Sequence, residues 1–293
     1  MKFRIIIFVL SALLPISIWA DDHSEYITFR NSAKELIGTR EYKEAESKLE
    51  GAEFFATSQS DKSDLMNVRN YYRRQLHLDV DSARTLFRQN KYEECIQFLM
   101  PLQNTIKDKD IQWWIGNSYA RLNMPKMALD YLKTGTEKYN DNWCAYSLAN
   151  LYRNHKGVGS ISRKRLIELY EIGANETTAA LDSLGTIYTE SKDYSGAFKY
   201  YQKSKSNYST IKICHLILDG EITLVGDTTE ALKYLQKAAT ANDARSLYNL
   251  GMAHYMGEFG LPRNHAKGYD LVRQASRLGY SKAKTDLRKM TRY

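Results

Sequence analysis

Apolar and small residues recur along this 293-residue chain at intervals of three and four positions. The clearest stretch has such residues at positions 244, 247, 248, 251 and 255. Side chains at these intervals share one face of a helix, so the stretch predicts an amphipathic α-helix. A loop rich in Gly and Pro follows, and a second periodic stretch extends from Ala266 to Ala275. The pattern therefore predicts a helix–turn–helix unit.

The same unit recurs upstream with a nearly constant period. Equivalent small residues are separated by 33 positions from Gly116 to Ala149 and by 36 positions from Ala149 to Gly185. Ala197 and Ala231 are 34 positions apart. Periods of this length are typical of stacked two-helix repeats. Small residues are expected where two helices cross closely, because a bulky side chain there would hold the helices apart.

These units resemble the tetratricopeptide-repeat superfamily, and the last unit is similar to its Sel-one-like variant. The longer loop of that variant matches Gly257 and Gly260. The third unit, with Gly116 and Tyr119, is similar to the ordinary tetratricopeptide pattern. The resemblance implies an all-α, right-handed α-solenoid of about seven helix-turn-helix repeats. A helical repeat specifies a scaffold and not a reaction.

Residues 1–20 have the three-part build of a secretory signal peptide. Lys2 and Arg4 make a basic start, an apolar run occupies positions 5–14, and a cleavage site follows at Ala20. An uncleaved anchor is the alternative, but Pro15 interrupts the apolar run. No later apolar run approaches the roughly 20 residues that a membrane span needs. We therefore predict an exported protein, periplasmic or secreted, from a bacterial source.

Three further segments are predicted after the signal peptide. Residues 21–60 hold the first repeat with an N-terminal tail, residues 61–279 hold the stacked tetratricopeptide and Sel-one-like repeats, and residues 280–293 form a basic capping helix. The equivalent residues Ala33 and Ala83 are 50 positions apart, which is longer than the usual period. Apolar residues at positions 65, 68, 72 and 76 predict one long helix between residues 61 and 89.

Positive charge is concentrated near the C-terminus. The formal net charge is +8, and the isoelectric point is about 9.1. The last 31 residues contain nine Lys or Arg and two Asp or Glu. Ala283, Leu287 and Met290 share one face of the capping helix, so its basic residues either form a solvated cap or contact a membrane surface or an acidic partner. Nucleic acid is not an expected partner, because the protein is predicted to be exported.

The three cysteines are expected to be packing residues. Cys95, Cys144 and Cys214 lie in different repeats, and helices two repeats apart cannot bring two Cα atoms within the roughly 7 Å that a disulfide requires. His215 follows Cys214, but adjacent residues on a helix point apart and do not form a nucleophile and its base. The sequence contains no Gly-rich phosphate loop or recognisable pair of catalytic carboxylates. We therefore expect neither a cofactor nor enzymatic activity.

Cleavage after Ala20 would create a candidate metal site. Asp21, Asp22 and His23 would then supply a terminal amine, two amides and an imidazole, a set that resembles the amino-terminal copper and nickel motif. The square-planar geometry of that motif suits Cu(II) or Ni(II). The alternative is a histidine that occurs by chance in a frayed tail.

The resemblance also implies a binding face. In tetratricopeptide proteins the first helix of each pair lines a concave groove, and the core does not require the residues that point into it. The corresponding residues in this sequence are Arg84, Arg88, Trp113, Asn117, Arg121, Tyr146, Asn150, Arg153, Tyr248 and Tyr255. They resemble the Asn and Arg clamps with which some relatives hold a peptide carboxylate. No lysine completes the usual set in repeats three and four, and a solvated groove is the alternative.

The expected function is therefore that of a scaffold. We expect a non-enzymatic protein that binds a protein or peptide partner, including an acidic one, in its concave groove. The alternative is an immunity-type protein that neutralises a secreted toxin in the bacterial envelope, a role that some exported Sel-one-like proteins have. An enzyme that acts on envelope polymers is a third hypothesis, for which the sequence offers no residue constellation.

Overall fold

The structure is a computed structural model, and it describes residues 17–103, 110–223 and 228–290. Those residues form fifteen α-helices and no β-strand. The helices are α1 (Ser17–Gly38), α2 (Tyr42–Phe55), α3 (Gln59–Arg88), α4 (Tyr92–Leu99), α5 (Asp110–Arg121), α6 (Pro125–Tyr139), α7 (Asn142–Asn154), α8 (Arg163–Gly173), α9 (Thr178–Glu190), α10 (Tyr194–Ser204), α11 (Asn207–Leu218), α12 (Thr228–Thr240), α13 (Ala244–Met256), α14 (His265–Arg277) and α15 (Ser281–Leu287). Short 3₁₀ helices occupy Met100–Leu102 and Lys156–Val158.

The predicted all-α repeat architecture is confirmed. Six of the seven predicted pairs pack as neighbours: α1 with α2, α3 with α4, α5 with α6, α9 with α10, α11 with α12, and α13 with α14. The chain divides between Ser160 and Ile161 into two compact units. Unit one contains α1–α7 and unit two contains α8–α15, so the two helices predicted for the fourth repeat belong to different units.

Glycines at equivalent positions allow the paired helices to cross closely, as predicted. A Cβ atom at Gly116 would lie 2.7 Å from Leu132 Cγ, which is closer than side chains pack. A Cβ atom at Gly185 would lie 2.5 Å from Tyr201 Cδ1. The same approach recurs at Gly251, where the added atom would meet the second helix of its own pair. The register deduced from the small residues is therefore correct in both units.

The long helix predicted after the first repeat is α3. Ser58 and Asp61 form a capping box at its start, in which each side chain accepts a hydrogen bond from the other residue's backbone N–H. The apolar residues at positions 65, 68, 72 and 76 are buried. Tyr72 packs edge-to-face on Tyr42 at a centroid distance of 6.0 Å, which joins α3 to α2. The extra residues between Ala33 and Ala83 therefore lengthen one helix.

Several helices of unit two begin at a polar capping residue. The side chains of Asp193, Ser206, Asp243 and Asn264 accept backbone N–H groups at the starts of α10, α11, α13 and α14. Such a cap satisfies a donor that has no partner within the helix. Gly257 ends α13 with a φ of 78°, which a residue without a Cβ adopts easily. These residues fix where the helices of unit two begin and where α13 ends.

The two predicted terminal segments are described only in part. The signal-peptide prediction concerns residues 1–20, of which residues 1–16 lie outside the described part of the chain. The described part of α1 starts at Ser17 and includes the predicted cleavage point after Ala20. At the other end, α15 stops at Leu287 and is shorter than the capping helix predicted for residues 280–293.

Candidate partner-binding surfaces

Two of the predicted groove residues, Trp113 and Asn117, connect α5 to α7 in unit one. Trp113 Nε1 donates a hydrogen bond to Ser147 Oγ at 2.9 Å, and Asn117 Nδ2 donates to the same oxygen at 3.2 Å. Ser147 is buried. A buried donor that loses its acceptor costs about 1–3 kcal/mol, so these bonds hold neighbouring repeats together. The donor groups of both residues are therefore occupied by the protein itself.

Three indole rings form the tryptophan cluster, which consists of Trp113, Trp114 and Trp143. The ring centroid of Trp113 lies 4.6 Å from that of Trp114 and 5.9 Å from that of Trp143, and both pairs meet edge-to-face. Phe87 of α3 packs on Trp114 at 5.0 Å. The three indoles and Asp110 line a cavity of about 200 Å³. Trp143 is 37% exposed, so one ring of the cluster faces solvent.

The arginines predicted on α3 have different surroundings. Arg84 lies 3.3 Å from the carboxylate of Asp81 and 3.5 Å from that of Asp110, so it borders the tryptophan cluster. Arg88, one helical turn further along, is exposed. The ion pairs of Arg84 join partly exposed side chains, and such pairs contribute little to stability.

The remaining predicted residues of unit one lie on α5 and α7. Arg121 and Arg153 are exposed in the last turns of these two helices. At 1.5 Å per residue, Arg121 lies about 12 Å along the helix axis from Trp113. Tyr146 and Asn150 are half-buried on α7. Helices α5 and α7 thus each carry a tryptophan near the first residue and an exposed arginine in the last turn.

The two predicted groove residues of unit two, Tyr248 and Tyr255, differ in burial. Tyr248 is 4% exposed, its hydroxyl donates to Asp286 Oδ2 at 2.7 Å, and its ring lies 5.3 Å from that of Tyr280. The segment that begins at Tyr280 therefore covers Tyr248, which makes Tyr248 a core residue and corrects its prediction as a groove residue. Tyr255 is half-buried, and its ring lies 4.4 Å from that of His265.

A second surface lies in unit two, and the sequence analysis missed it. An open groove of about 1190 Å³ runs along α10, the start of α11 and α12. Its described lining contains no Asp or Glu. We call it the lysine groove, after five exposed lysines of that lining: Lys199, Lys203, Lys205, Lys233 and Lys237.

A signal for the lysine groove was present in the repeat pattern. The segment Lys199–Lys203 reads Lys-Tyr-Tyr-Gln-Lys, and the segment Lys233–Lys237, 34 residues later, reads Lys-Tyr-Leu-Gln-Lys. Ala197 and Ala231 already align these two repeats, so the lysines occupy the same positions on successive second helices. Stacking of the repeats brings both pairs into one groove. The predicted groove residues all lie on first helices, and these lysines lie on second helices.

The profile of the Sel1 repeat family matches this chain at residues 184–209, 207–243 and 244–280. The first match begins within α9 and includes α10, and the other two cover the helix pairs α11/α12 and α13/α14. Residues 184–280 therefore match the Sel1 repeat pattern. This confirms the Sel-one-like resemblance of the last unit and extends it to the two repeats that form the lysine groove. Sel1 repeats generally serve as protein–protein interaction scaffolds and are typically non-catalytic.

Solved structures show the same fold. A Sel1 repeat protein from Oxalobacter formigenes is 22% identical, with a TM-score of 0.56, over 71% of this chain and 88% of that protein. The protein c5321, a protective antigen present in uropathogenic Escherichia coli strains that displays an SLR fold, is 16% identical with a TM-score of 0.59. That alignment covers 84% of this chain and 59% of the antigen. No curated protein matches the sequence significantly.

Within the Sel1 repeats, Cys214 and His215 belong to a bonded network between α11 and α13. His215 Nε2 lies 3.0 Å from Asp243 Oδ2, and the same carboxylate oxygen accepts from the hydroxyl of Ser246 at 2.6 Å. Cys214 Sγ lies 3.4 Å from Ser246 Oγ. The serine proton points to a carboxylate and not to an imidazole, and Ser246 is fully buried. The network therefore joins two repeats and lacks the geometry of nucleophilic catalysis.

Electrostatics at this junction favours the charged carboxylate. Burial by itself would raise the pKa of Asp243, but hydrogen bonds from Ser246 and His215 outweigh that effect and lower it. Burial raises the pKa of the Cys214 thiol, and it does the same for Cys95 and Cys144. All three cysteines are free and buried. They therefore remain protonated packing residues at neutral pH, and Cys95 occupies the small core position that its sister repeats fill with alanine.

The candidate copper site would form only in a chain cleaved after Ala20. His23 Nδ1 lies 3.1 Å from the carboxylate of Asp61, which caps α3. Asp22 and His23 lie within α1, whose first backbone N–H groups would have no helical acceptor after cleavage at Ala20. Within residues 17–103, 110–223 and 228–290, no group of three or more His, Cys, Asp or Glu is placed to hold a metal ion. The Asp21-Asp22-His23 site stays a prediction.

The basic C-terminal segment packs on the last Sel1 repeat through one apolar face. Ala283 is fully buried, and Leu287 and Met290 are half-buried against the core of unit two. Lys282 and Lys284 are exposed, and Lys282 Nζ lies 5.2 Å from the ring centroid of Tyr248. The segment therefore packs on the last described helix pair, an arrangement compatible with the capping interpretation. Among the described helices, none is long and apolar enough to cross a bilayer.

Proposed function

We propose that this chain is an exported, non-enzymatic scaffold whose first-helix face in unit one binds a protein or peptide partner. The observation that carries the proposal is the tryptophan cluster with its cavity of about 200 Å³. Trp143 is 37% exposed on this face, whereas Trp113 and Trp114 are half-buried. Tryptophan and arginine are enriched among the residues that dominate binding energy at protein interfaces.

The composition of the face supports a two-part contact. The cavity can accept an apolar or aromatic side chain of the partner, because indole rings form most of its wall. Arg121 and Arg153 stand exposed at the far ends of α5 and α7, where they could bond a partner carboxylate in a charge-assisted and bidentate way. Export is supported by the basic start, apolar run and cleavage site of residues 1–20.

The test is capture of the partner from the native host with variants of the full chain. We expect Trp143→Ala combined with Arg121→Ala and Arg153→Ala to weaken the captured partner's binding at least tenfold, with an unchanged circular dichroism spectrum. A matched control changes one exposed tyrosine and two exposed arginines of α3 in the same unit, Tyr71→Ala with Arg73→Ala and Arg74→Ala. The proposal fails if wild type and the first variant bind the partner equally. If the captured partner is a toxin, the result would favour the alternative function, an immunity-type protein that neutralises that toxin.

A further inference from the structure

The lysine groove of unit two has a charge that the repeat fold does not require. At the positions equivalent to Lys199 and Lys203, the third repeat carries Asp130 and Thr134 on its second helix. The first repeat carries Ser47 and Gly51 there. The seventh repeat carries Asp270 and Gln274. Lysine at both positions therefore occurs in two successive repeats for a reason other than helix packing.

Within the described residues, the lysines of the groove also lack acidic partners. No ion pair joins Lys199, Lys203, Lys205, Lys233 or Lys237 to a carboxylate in the part of the chain that the structure describes. Lys203 has one aromatic contact, at 5.8 Å from the ring centroid of Tyr200. Like charges four residues apart on a helix repel each other. A ligand with several negative charges would remove this repulsion.

We infer that the lysine groove binds an acidic, extended segment of a protein partner. The inference rests on the proposed function, in which the partner is a protein. A groove of about 1190 Å³ exceeds the roughly 300–1,000 Å³ of most small-molecule pockets, so it suits a length of polymer. Amides of Gln202, Gln236 and Asn207 lie among the lysines and can bond the backbone of such a segment.

The spacing of the lysines fits an extended peptide. Lys199 and Lys203 are four residues apart on α10, a rise of about 6 Å, and Lys233 and Lys237 repeat this spacing on α12. Alternate side chains of an extended strand point to the same side and lie about 6.6 Å apart. Acidic residues at every second position of a peptide would therefore meet successive lysines along either helix.

The aromatic lining of the groove argues against single-stranded nucleic acid. Proteins that bind single strands without sequence preference stack the bases on exposed aromatic faces. Tyr201 is 1% exposed, and the ring of Tyr234 is half-buried and meets Phe198 edge-to-face. The described lining contains no other aromatic residue. The groove thus attracts negative charge without a platform for bases.

The probe for the experiment is a fluorescein-labelled ten-residue peptide that alternates Glu and Ser, and the readout is fluorescence anisotropy with the full chain at about 20 mM NaCl. We expect Lys199→Gln, Lys203→Gln, Lys233→Gln and Lys237→Gln together to weaken binding at least tenfold. The matched control, Lys43→Gln, Lys126→Gln, Lys133→Gln and Lys192→Gln, removes the same charge from other exposed positions and should change binding less than twofold.

Three results would overturn the inference: no binding to the wild-type chain, equal losses in the two quadruple variants, or tighter binding of a ten-nucleotide single strand through the same four lysines. The last result would assign the groove to nucleic acid. Failure of the proposed function is a separate outcome, because the variant that combines Trp143→Ala, Arg121→Ala and Arg153→Ala keeps all five lysines. If that variant captures the partner as well as wild type does, and the peptide still binds through the lysines, the first-helix face is rejected as the binding site. The lysine groove is then retained as a peptide-binding site.

Discussion

The tryptophan cluster of unit one and the lysine groove of unit two use polar residues in opposite ways. In unit one, the side-chain N–H groups of Trp113 and Asn117 both bond Ser147, which belongs to the next first helix. In unit two, the lysines of the groove stand on successive second helices and bond no carboxylate in the described chain. The first arrangement stabilises the stack, whereas the second lowers stability in the absence of a ligand.

This difference shows how a polar residue on a repeat surface should be interpreted. A side chain whose donors are satisfied by the adjacent repeat contributes to folding, even where the family places a ligand groove. A cluster of like charges without partners destabilises the fold slightly and is available to a ligand of opposite charge. Trp143, Arg121 and Arg153 of unit one are intermediate between these two kinds of residue. They lie beside residues that are bonded within the protein, but their own side chains are exposed to solvent.

The largest expected effect tests whether both units depend on the same close helix crossing. Gly116→Leu in unit one and Gly185→Leu in unit two should each destabilise the protein by about 1–3 kcal/mol or more, because the added side chain would overlap Leu132 or Tyr201. Urea denaturation measures the change. Gly38→Leu is the control, since a Cβ atom there meets nothing within 4 Å. Wild-type stability in either crossing variant would show that its repeat register is wrong.

A smaller loss of stability is expected when the junction of unit one is broken. Ser147→Ala removes the acceptor shared by Trp113 Nε1 and Asn117 Nδ2, so the free energy of unfolding should fall by about 1–3 kcal/mol. The exposed serine of α3 gives a comparison: Ser82→Ala should change stability by less than about 0.5 kcal/mol. Equal effects of the two substitutions would mean that the junction bonds do not stabilise unit one.

The smallest effect has the opposite sign and concerns the lysine groove. Replacing Lys199, Lys203, Lys233 and Lys237 by Gln removes two like-charged pairs and should raise stability by roughly 0.5–1 kcal/mol at low salt. The gain should vanish near 1 M NaCl, where the screening length is about 3 Å. Thermal unfolding at both salt concentrations measures it. A loss of stability at low salt would indicate that the lysines have favourable partners in the folded protein.

Much of the fold could be predicted, because helix formation and close crossing follow from local spacing. The three- and four-residue intervals predicted the helices, and Gly116, Gly185 and Gly251 set the register of the repeats that the structure confirms. The long α3 followed from the same periodicity. Cys95 was identified as a core residue from the alanines at equivalent positions of its sister repeats.

The binding surfaces were predicted less well, because the sequence does not show what covers a helix. Tyr248 has the spacing of a groove residue, yet the segment after α14 buries it through Tyr280 and a bond to Asp286, 38 residues away. Trp113 and Ser147, 34 residues apart, become partners only when two repeats stack. These contacts depend on packing between elements that are distant along the chain.

The sequence by itself determined the helices, their small-residue crossings and the order of the repeats, since each depends on residues within one turn or one repeat. Only the tertiary structure decided which polar side chains are satisfied and which remain available to a ligand. Lys199 and Lys233 illustrate the reason. Each is an ordinary exposed residue of its own helix, and they line one groove of about 1190 Å³ because successive second helices stack in register.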